Sequence, residues 1–388
     1  MYVPRELRAR FEKLSRATSI IALVGARQAG KTTFLREHAK GMDCSYILFD
    51  DPDARAVFDD DVKRFESQYV EGHEISILDE VQYCRDAGMK LKYLADRGHR
   101  IWMTSSSEML LSKDILSYLV GRVSILRMYP FSLQEFLEAK SLKTARPAII
   151  RRCVWEHMLY GGYPKIVITE DTETKKMLLN DLREIMMLKD VARAFSIEDM
   201  RSLEDFARHT ASTASEVASY ESMSMKIGIS FRTLIKYIDA MEKSYLISRV
   251  QPFFRNKLKE IAKRPKLYFV DMGIRNAVLR NFPAEPDGKA FENYVFTELL
   301  KMGLNPKYWR SKAGAEVDFV VEKGGKPIPI EVKLKVNRPI VERGLRSFID
   351  AYRPKKALVV SYKGPMAEVN MGGCRVSFVD VIGMKPFL

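Results

Sequence analysis

At 388 residues the chain is too long for one ordinary hydrophobic core and reads as two or three domains. Its 46% apolar content is ample for burial, yet no apolar run reaches signal-peptide or membrane-spanning length, so a soluble cytoplasmic protein with no membrane partner is expected. A net charge of +14 favours polyanionic partners, and the four scattered cysteines (Cys44, Cys84, Cys153, Cys374), none in CxxC spacing, argue against a zinc site or a disulfide framework.

The first predicted element is an apolar strand, Ile20 to Val24. It runs into Gly25-Ala26-Arg27-Gln28-Ala29-Gly30-Lys31-Thr32-Thr33 and then a helix. This is the GxxxxGK[ST] phosphate-binding pattern in the strand-then-helix setting its mechanism needs. Glycines at both ends let the backbone curl with its N–H groups inward, and the following helix adds the positive end of its dipole. Lys31 is placed to reach the β- and γ-phosphates of ATP, and Thr32 to reach Mg²⁺.

A second short strand, Ser45 to Phe49, ends in Asp50-Asp51-Pro52. A third, Ile75 to Leu78, runs into Asp79-Glu80. Strands separated by helices predict a parallel sheet with ligands at the carboxyl ends of its strands, which brings Asp79 and Glu80 beside Lys31. Asp79 is then a Mg²⁺ ligand and Glu80 the base that orients and deprotonates the attacking water; the rival reading of such a pair is a helix cap.

A fourth strand, Arg100 to Thr104, ends in Ser105-Ser106-Ser107. Ser105 is the candidate sensor of the γ-phosphate, with a plain helix start as the alternative. An apolar helix, Met109 to Val120, then leads through Gly121-Arg122 into the strand Val123 to Met128. Arg122 is a candidate arginine finger for the ATP of a neighbouring copy, or else a member of a surface salt bridge.

GARQAGKTT (Gly25 to Thr33), ISILDE (Ile75 to Glu80), Gly121-Arg122, Tyr160-Gly-Gly-Tyr-Pro164 and Pro4-Arg5 together resemble prokaryotic AAA+ ATPases. The group they look most like is the archaeal and bacterial one whose ATPase core carries a long C-terminal extension of poorly defined function. The resemblance runs over nearly the whole chain and implies an AAA+ core (1-150) followed by a helical lid (151-200). No sensor-2 arginine is evident in that lid, which leaves open how nucleotide state would move it.

Beyond Arg201 the pattern shifts to a helix (Ser222 to Ile227), a turn at Gly228-Ile229, and a Ser230-capped helix (Phe231 to Lys243) with Leu234, Ile235, Ile238 and Met241 on one face. A strand, Leu246 to Val250, and a run from Arg255 to Lys266 with six basic residues in twelve follow. Together they predict a winged helix (201-266) that places its second helix in a DNA groove and its basic wing on phosphates. A protein-packing module with a solvated hairpin is the alternative.

The remainder (267-388) has an α/β rhythm of its own: a strand at Leu267 to Val270, Asp271 as a cap, and a helix from Gly288 to Gly303 carrying Glu292. A strand begins at Tyr308, and a hairpin follows whose arms are Glu316 to Val321 and Ile328 to Lys333, turned at Gly324-Gly325. Glu331 and Lys333, two apart, share one side of a strand. With Asp318 on the other arm and the helical Glu292 they resemble the PD-(D/E)xK nucleases of restriction-enzyme-like fold. That resemblance implies Glu292, Asp318 and Glu331 around Mg²⁺ or Mn²⁺, and Lys333 stabilising or activating water. A surface charge pair is the alternative reading of Glu331-Val-Lys333.

The expected fold class is therefore α/β: a P-loop parallel-sheet core, a helical lid, a winged-helix segment and a restriction-endonuclease-like domain. The expected function is Mg²⁺-dependent ATP hydrolysis coupled to DNA binding and cleavage, in an oligomer if Arg122 acts on a neighbour. The rival is an ATP-switched regulator or scaffold that binds nucleic acid or protein without cutting. A protein remodeller ranks last, since Asp51 to Asp61 is acidic where an aromatic pore loop is needed.

Overall fold

The computed structural model describes residues 2–107, 117–142, 146–254 and 264–388. The chain forms two compact units, Met1–Phe131 with Lys243–Tyr245, and Ser132–Glu242 with Leu246–Leu388. The helix Leu133–Ala139 belongs to the second, where the Leu133 N–H donates to Glu298 Oε2 at 2.9 Å.

In the first unit, Ile20–Gly25 (β1), Cys44–Leu48 (β2), Ile75–Asp79 (β3), Ile101–Ser105 (β4) and Val123–Met128 (β5) form one parallel sheet in the order β2-β3-β4-β1-β5. Every residue of β1, β3 and β4 is buried, as expected of near-continuous apolar strands covered on both faces. The pairings Val24↔Ser105 and Leu48↔Asp79 bring the carboxyl ends of β1 to β4 to one edge. Phe11 of the Arg8–Ser15 helix packs edge-on against Phe34 and Trp102, with centroids 5.0 and 4.9 Å away, and so fixes that helix and the Lys31–His38 helix to the sheet. Most of the sequence-predicted helix Met109 to Val120 lies outside the described residues.

In the second unit Leu133–Ala139 is followed by helices Pro147–Tyr160 and Thr172–Ile185, part of the predicted helical segment. The Tyr160-Gly-Gly-Tyr-Pro164 motif is structural here. Asp271 is buried, caps the Met272–Leu279 helix through the Ile274 N–H (3.1 Å) and accepts from the Gly162 N–H (2.8 Å). A Cβ on Gly161, whose φ is +74°, would sit 2.1 Å from Asp271 Oδ1. Asn276 donates to the last carbonyls of the Pro147–Tyr160 helix, Met158 (3.1 Å) and Leu159 (2.9 Å), completing a buried lock.

Three helices follow, Met200–Ser212, Tyr220–Ile227 and Phe231–Lys243, the last with Leu234, Ile238 and Met241 buried. Ile247–Val250 (β6) pairs antiparallel with Lys266–Phe269 (β7). The strand that the sequence reading gave to the C-terminal domain is thus the second strand of this ribbon, because its alternating Leu267 and Phe269 register with Arg249 and Ile247. Residues 255–263, most of the predicted basic wing, lie outside the described residues; Arg264 at its end is paired with Glu221 at 3.0 Å.

The C-terminal sheet contains Lys307–Arg310 (β8), Glu316–Lys323 (β9), Lys326–Lys335 (β10), Lys356–Lys363 (β11), Ala367–Met371 (β12) and Cys374–Val379 (β13), in the order β12-β13-β11-β10-β9-β8. Its centre, β10-β11-β13, is parallel and its edges are antiparallel. Leu345 and Phe348 of the Arg343–Tyr352 helix join a core with Trp309, Val317 and Val320. Phe319 packs instead with Tyr268 and with Phe296 of the Gly288–Lys301 helix. This split reflects a bulge in β9: Lys307 pairs with Val320 and Trp309 with Val317, so β9 takes three steps where β8 takes two.

Candidate functional site

The phosphate loop is held open by backbone geometry that only glycine permits at its ends. A Cβ on Gly25 would lie 2.0 Å from the Met128 carbonyl oxygen, and Gly30, at φ +97°, is the N-cap of the Lys31–His38 helix. Gln28 also has positive φ (+58°), whereas Ala26 and Ala29 are buried. Arg27 is half-buried, Gln28 and Thr33 are exposed, and the buried Lys31 donates to the carbonyls of Gly25 (2.9 Å) and Ala26 (3.0 Å). Arg5 braces the loop, donating to the carbonyls of Ala29 (2.7 Å) and Tyr129 (2.5 Å) with its guanidinium over the Phe131 ring.

Asp79 is the centre of the site. Its Oδ2 accepts from Thr32 Oγ1 at 2.8 Å and from the Tyr46 hydroxyl at 2.6 Å, and its Oδ1 from Thr104 Oγ1. Burial and the Asp79 carboxylate push the Tyr46 phenol upward, so it stays a donor. Thr32 and Asp79, 47 residues apart in sequence, are therefore joined where a hydrated Mg²⁺ would rest between the loop and β3, and the donor set fits that ion. Glu80 follows in the left-handed region (φ +61°, ψ +46°), its N–H donating to Thr104 Oγ1 at 3.0 Å.

Ser105 is fully buried, with its hydroxyl on its own turn: it donates to the Ser107 carbonyl (2.8 Å) and accepts from the Ser107 N–H (3.2 Å). The flanking Thr104 and Ser106 face the acidic residues instead. Strand alternation is the signal that could have found them, since residues two apart share a side. Tyr46 had no comparable mark. Arg122 lies just before β5, where Val123 pairs with Ile20, at the amino end of β1 and away from the loop. Its Nε contacts Asp96 at 2.5 Å.

In the second unit the hairpin predicted with arms Glu316 to Val321 and Ile328 to Lys333 forms, and its register pairs Val321 with Ile328 and Phe319 with Ile330. Beyond that pair the strands part, and Asp318 Oδ2 accepts the Val332 N–H at 2.7 Å. The β9 bulge permits this exchange of a ladder carbonyl for a carboxylate. Lys333 bridges Glu331 (2.9 Å) and Glu342 (2.8 Å). Glu331 is buried, and its Oε2 has no hydrogen-bond partner among the described residues.

Glu292 is differently engaged. Its Oε1 accepts from the Tyr268 hydroxyl (2.6 Å) and from Lys266 Nζ (3.2 Å), and Lys266 also meets Glu316 at 2.6 Å. Both Lys266 and Tyr268 come from β7. Lys266 is 2% exposed, and its carboxylate neighbours hold its ammonium above the ordinary lysine range against the cost of burial. Burial first and the Asp318 charge second push both Glu292 and Glu331 up to about 7, while Asp318 itself is raised by burial. Among the described residues no group of three or more His, Cys, Asp or Glu is arranged to hold a metal ion. Glu331 thus keeps one oxygen unpartnered among the described residues, whereas Glu292 is committed to Lys266 and Tyr268.

Residues 17–137 match the family model of an AAA domain, and the chain carries an AAA-type P-loop ATPase domain there. Residues 151–285 and 287–373 match two domains of unknown function, DUF8612 and DUF4143. An uncharacterized protein of Methanocaldococcus jannaschii is 26% identical over 364 residues, covering 89% of this chain and 81% of the relative. An uncharacterized protein of Haemophilus influenzae is 23% identical over 67% of this chain and 66% of its own length. Among solved structures, a Walker-type ATPase of Pyrococcus abyssi covers 71% of this chain and 96% of its own at 14% identity and a TM-score of 0.48. Cdc6p of Pyrobaculum aerophilum covers 72% and 96% at 11% identity and a TM-score of 0.31. No helix among the described residues is long and apolar enough to cross a membrane.

Proposed function

We propose that the N-terminal unit binds and hydrolyses ATP, and that this cycle governs a C-terminal module that engages DNA and cleaves phosphodiesters. The observation that carries the ATPase reading is the 2.8 Å contact of Thr32 with Asp79 at the loop's edge, with Glu80 next in the chain. Inward backbone N–H groups of residues 26 to 30 and the Lys31 ammonium bind the phosphates. Magnesium held by Thr32 and Asp79 would offset the charge of the β- and γ-phosphate oxygens. Glu80 takes a proton from the attacking water, and Tyr46 and Thr104 keep Asp79 oriented. Arg122, at the amino end of β1, is proposed to exchange its Asp96 pair for the ATP of a neighbouring copy.

For the C-terminal module, Asp318 and Glu331 are proposed to hold one divalent ion, which would polarise the scissile phosphate, while Lys333 orients the attacking water. The net charge of +14 and the basic run ending at Lys266 support DNA as the partner. A second reading, an ATP-switched regulator that binds without cutting, is favoured by Lys266: its buried ammonium already neutralises Glu292 and Glu316. One experiment separates the two. Supercoiled plasmid is incubated with protein and Mg²⁺ or Mn²⁺, with and without ATP, following nicking and phosphate release together. Metal-dependent nicking that Asp318→Ala abolishes supports the nuclease; phosphate release with intact plasmid supports the regulator.

A further inference from the structure

We propose that Gln82 is a positioning residue for ATP hydrolysis, clamping the Glu80 carboxylate to Ser106; the proposal rests on the ATPase reading above. The backbone leaves Glu80 little freedom. Its left-handed conformation, uncommon for a residue with a side chain, is held by the N–H bond to Thr104 and leads directly into the short 3₁₀ turn Val81–Tyr83. That turn brings Gln82 back over the residue two before it. The Gln82 side-chain nitrogen donates both to Glu80 Oε2 and to Ser106 Oγ, the latter at 3.1 Å. The orientation of the amide is not arbitrary: an ionised carboxylate only accepts, so the nitrogen must face Glu80 and the oxygen must face away.

That oxygen, Oε1, is buried and has no hydrogen-bond partner among the described residues. A glutamine serving only to close the turn would gain nothing from a desolvated, unbonded carbonyl. A donor arriving with the nucleotide would satisfy it. Gln82 thus ties three things together: the base on the β3 end, the Ser106 hydroxyl just past β4, and an acceptor waiting beside them. Ser106, rather than Ser105, is then the member of the serine run that couples β4 to the chemistry.

The test is steady-state phosphate release with ATP affinity measured in parallel. Gln82→Ala is expected to lower kcat by about 10- to 100-fold with KM for ATP within about 2-fold, and Gln82→Glu to fall at least as far, because a carboxylate cannot donate to Glu80. In a Glu80→Gln background the Gln82→Ala change should cost less than about 2-fold more, since it acts through Glu80. Ser106→Ala, which removes one anchor without touching the turn, should cost about 2- to 5-fold in kcat. Unchanged kcat in Gln82→Ala, a loss carried by KM, or losses that multiply in the double variant would each overturn the proposal. Wild-type protein without any Lys31-dependent turnover would overturn the ATPase reading and this one with it.

Discussion

Two polar clusters among the described residues each hold a buried lysine, and the lysines do opposite jobs. Lys31 sits at the end of a contiguous motif, and its ammonium rests on two backbone carbonyls of the loop it belongs to. Lys266 comes from a different element than its partners and is fixed by the carboxylates of Glu292 and Glu316, with Asp318 also raising it. The first can leave its carbonyls for a phosphate at little net cost, because charge-assisted bonds to phosphate oxygens replace those it gives up, each worth about 1.5–3 kcal/mol. The second cannot leave without stranding buried charge, so one lysine is available for chemistry and the other for architecture.

Breaking that contrast starts with Lys266→Met. Leaving Glu292 and Glu316 without their cation should destabilise the second unit by about 3–5 kcal/mol, read as a lower midpoint in denaturant unfolding. A change under about 1 kcal/mol would mean the cluster is not held by its internal cation. Lys31→Ala should show the reverse pattern: phosphate release down by about 10²- to 10³-fold, with unfolding free energy shifted by about 1–3 kcal/mol. A variant that loses stability but keeps turnover would exchange the roles assigned to the two lysines.

Gly161→Ala sharpens the comparison by separating the Asp271 lock from the Lys266 cluster. The added methyl meets Asp271 in a backbone region unsuited to side chains, and a loss of about 1–3 kcal/mol is expected while ATP turnover per folded molecule stays put. The smallest effect on stability should come from Arg122→Ala. Loss of the half-exposed Asp96 pair costs at most about 1 kcal/mol, so any fall in ATPase activity that grows with protein concentration would trace to a neighbouring copy's site.

The same difference explains what could be read from sequence. The phosphate loop was legible because backbone curvature demands glycines at fixed spacing, and Asp79 and Glu80 because they end an apolar strand in a parallel sheet. Tyr46 and Gln82 were not: each reaches its partner by a side-chain path that local pattern does not encode. Ser105 drew attention over Thr104 and Ser106 because the serine run looks uniform until strand alternation sorts it. The Asp318 to Lys333 hairpin followed from its glycine turn, but the β9 bulge that turns Asp318 toward Val332 has no sequence mark. Lys266 read as the last charge of a basic run, and only the pairing of β7 with β6 shows it to be the first residue of a buried strand.

The central claim is that Thr32, Asp79 and Glu80 form an ATP-hydrolysing site, and the most direct measurement is Mg²⁺-dependent phosphate release by wild type and Glu80→Gln, with nucleotide affinity determined on both. Robust wild-type turnover, lowered by about 10²- to 10⁴-fold in Glu80→Gln with ATP affinity retained, is the predicted result. Equal turnover in the two proteins would contradict it.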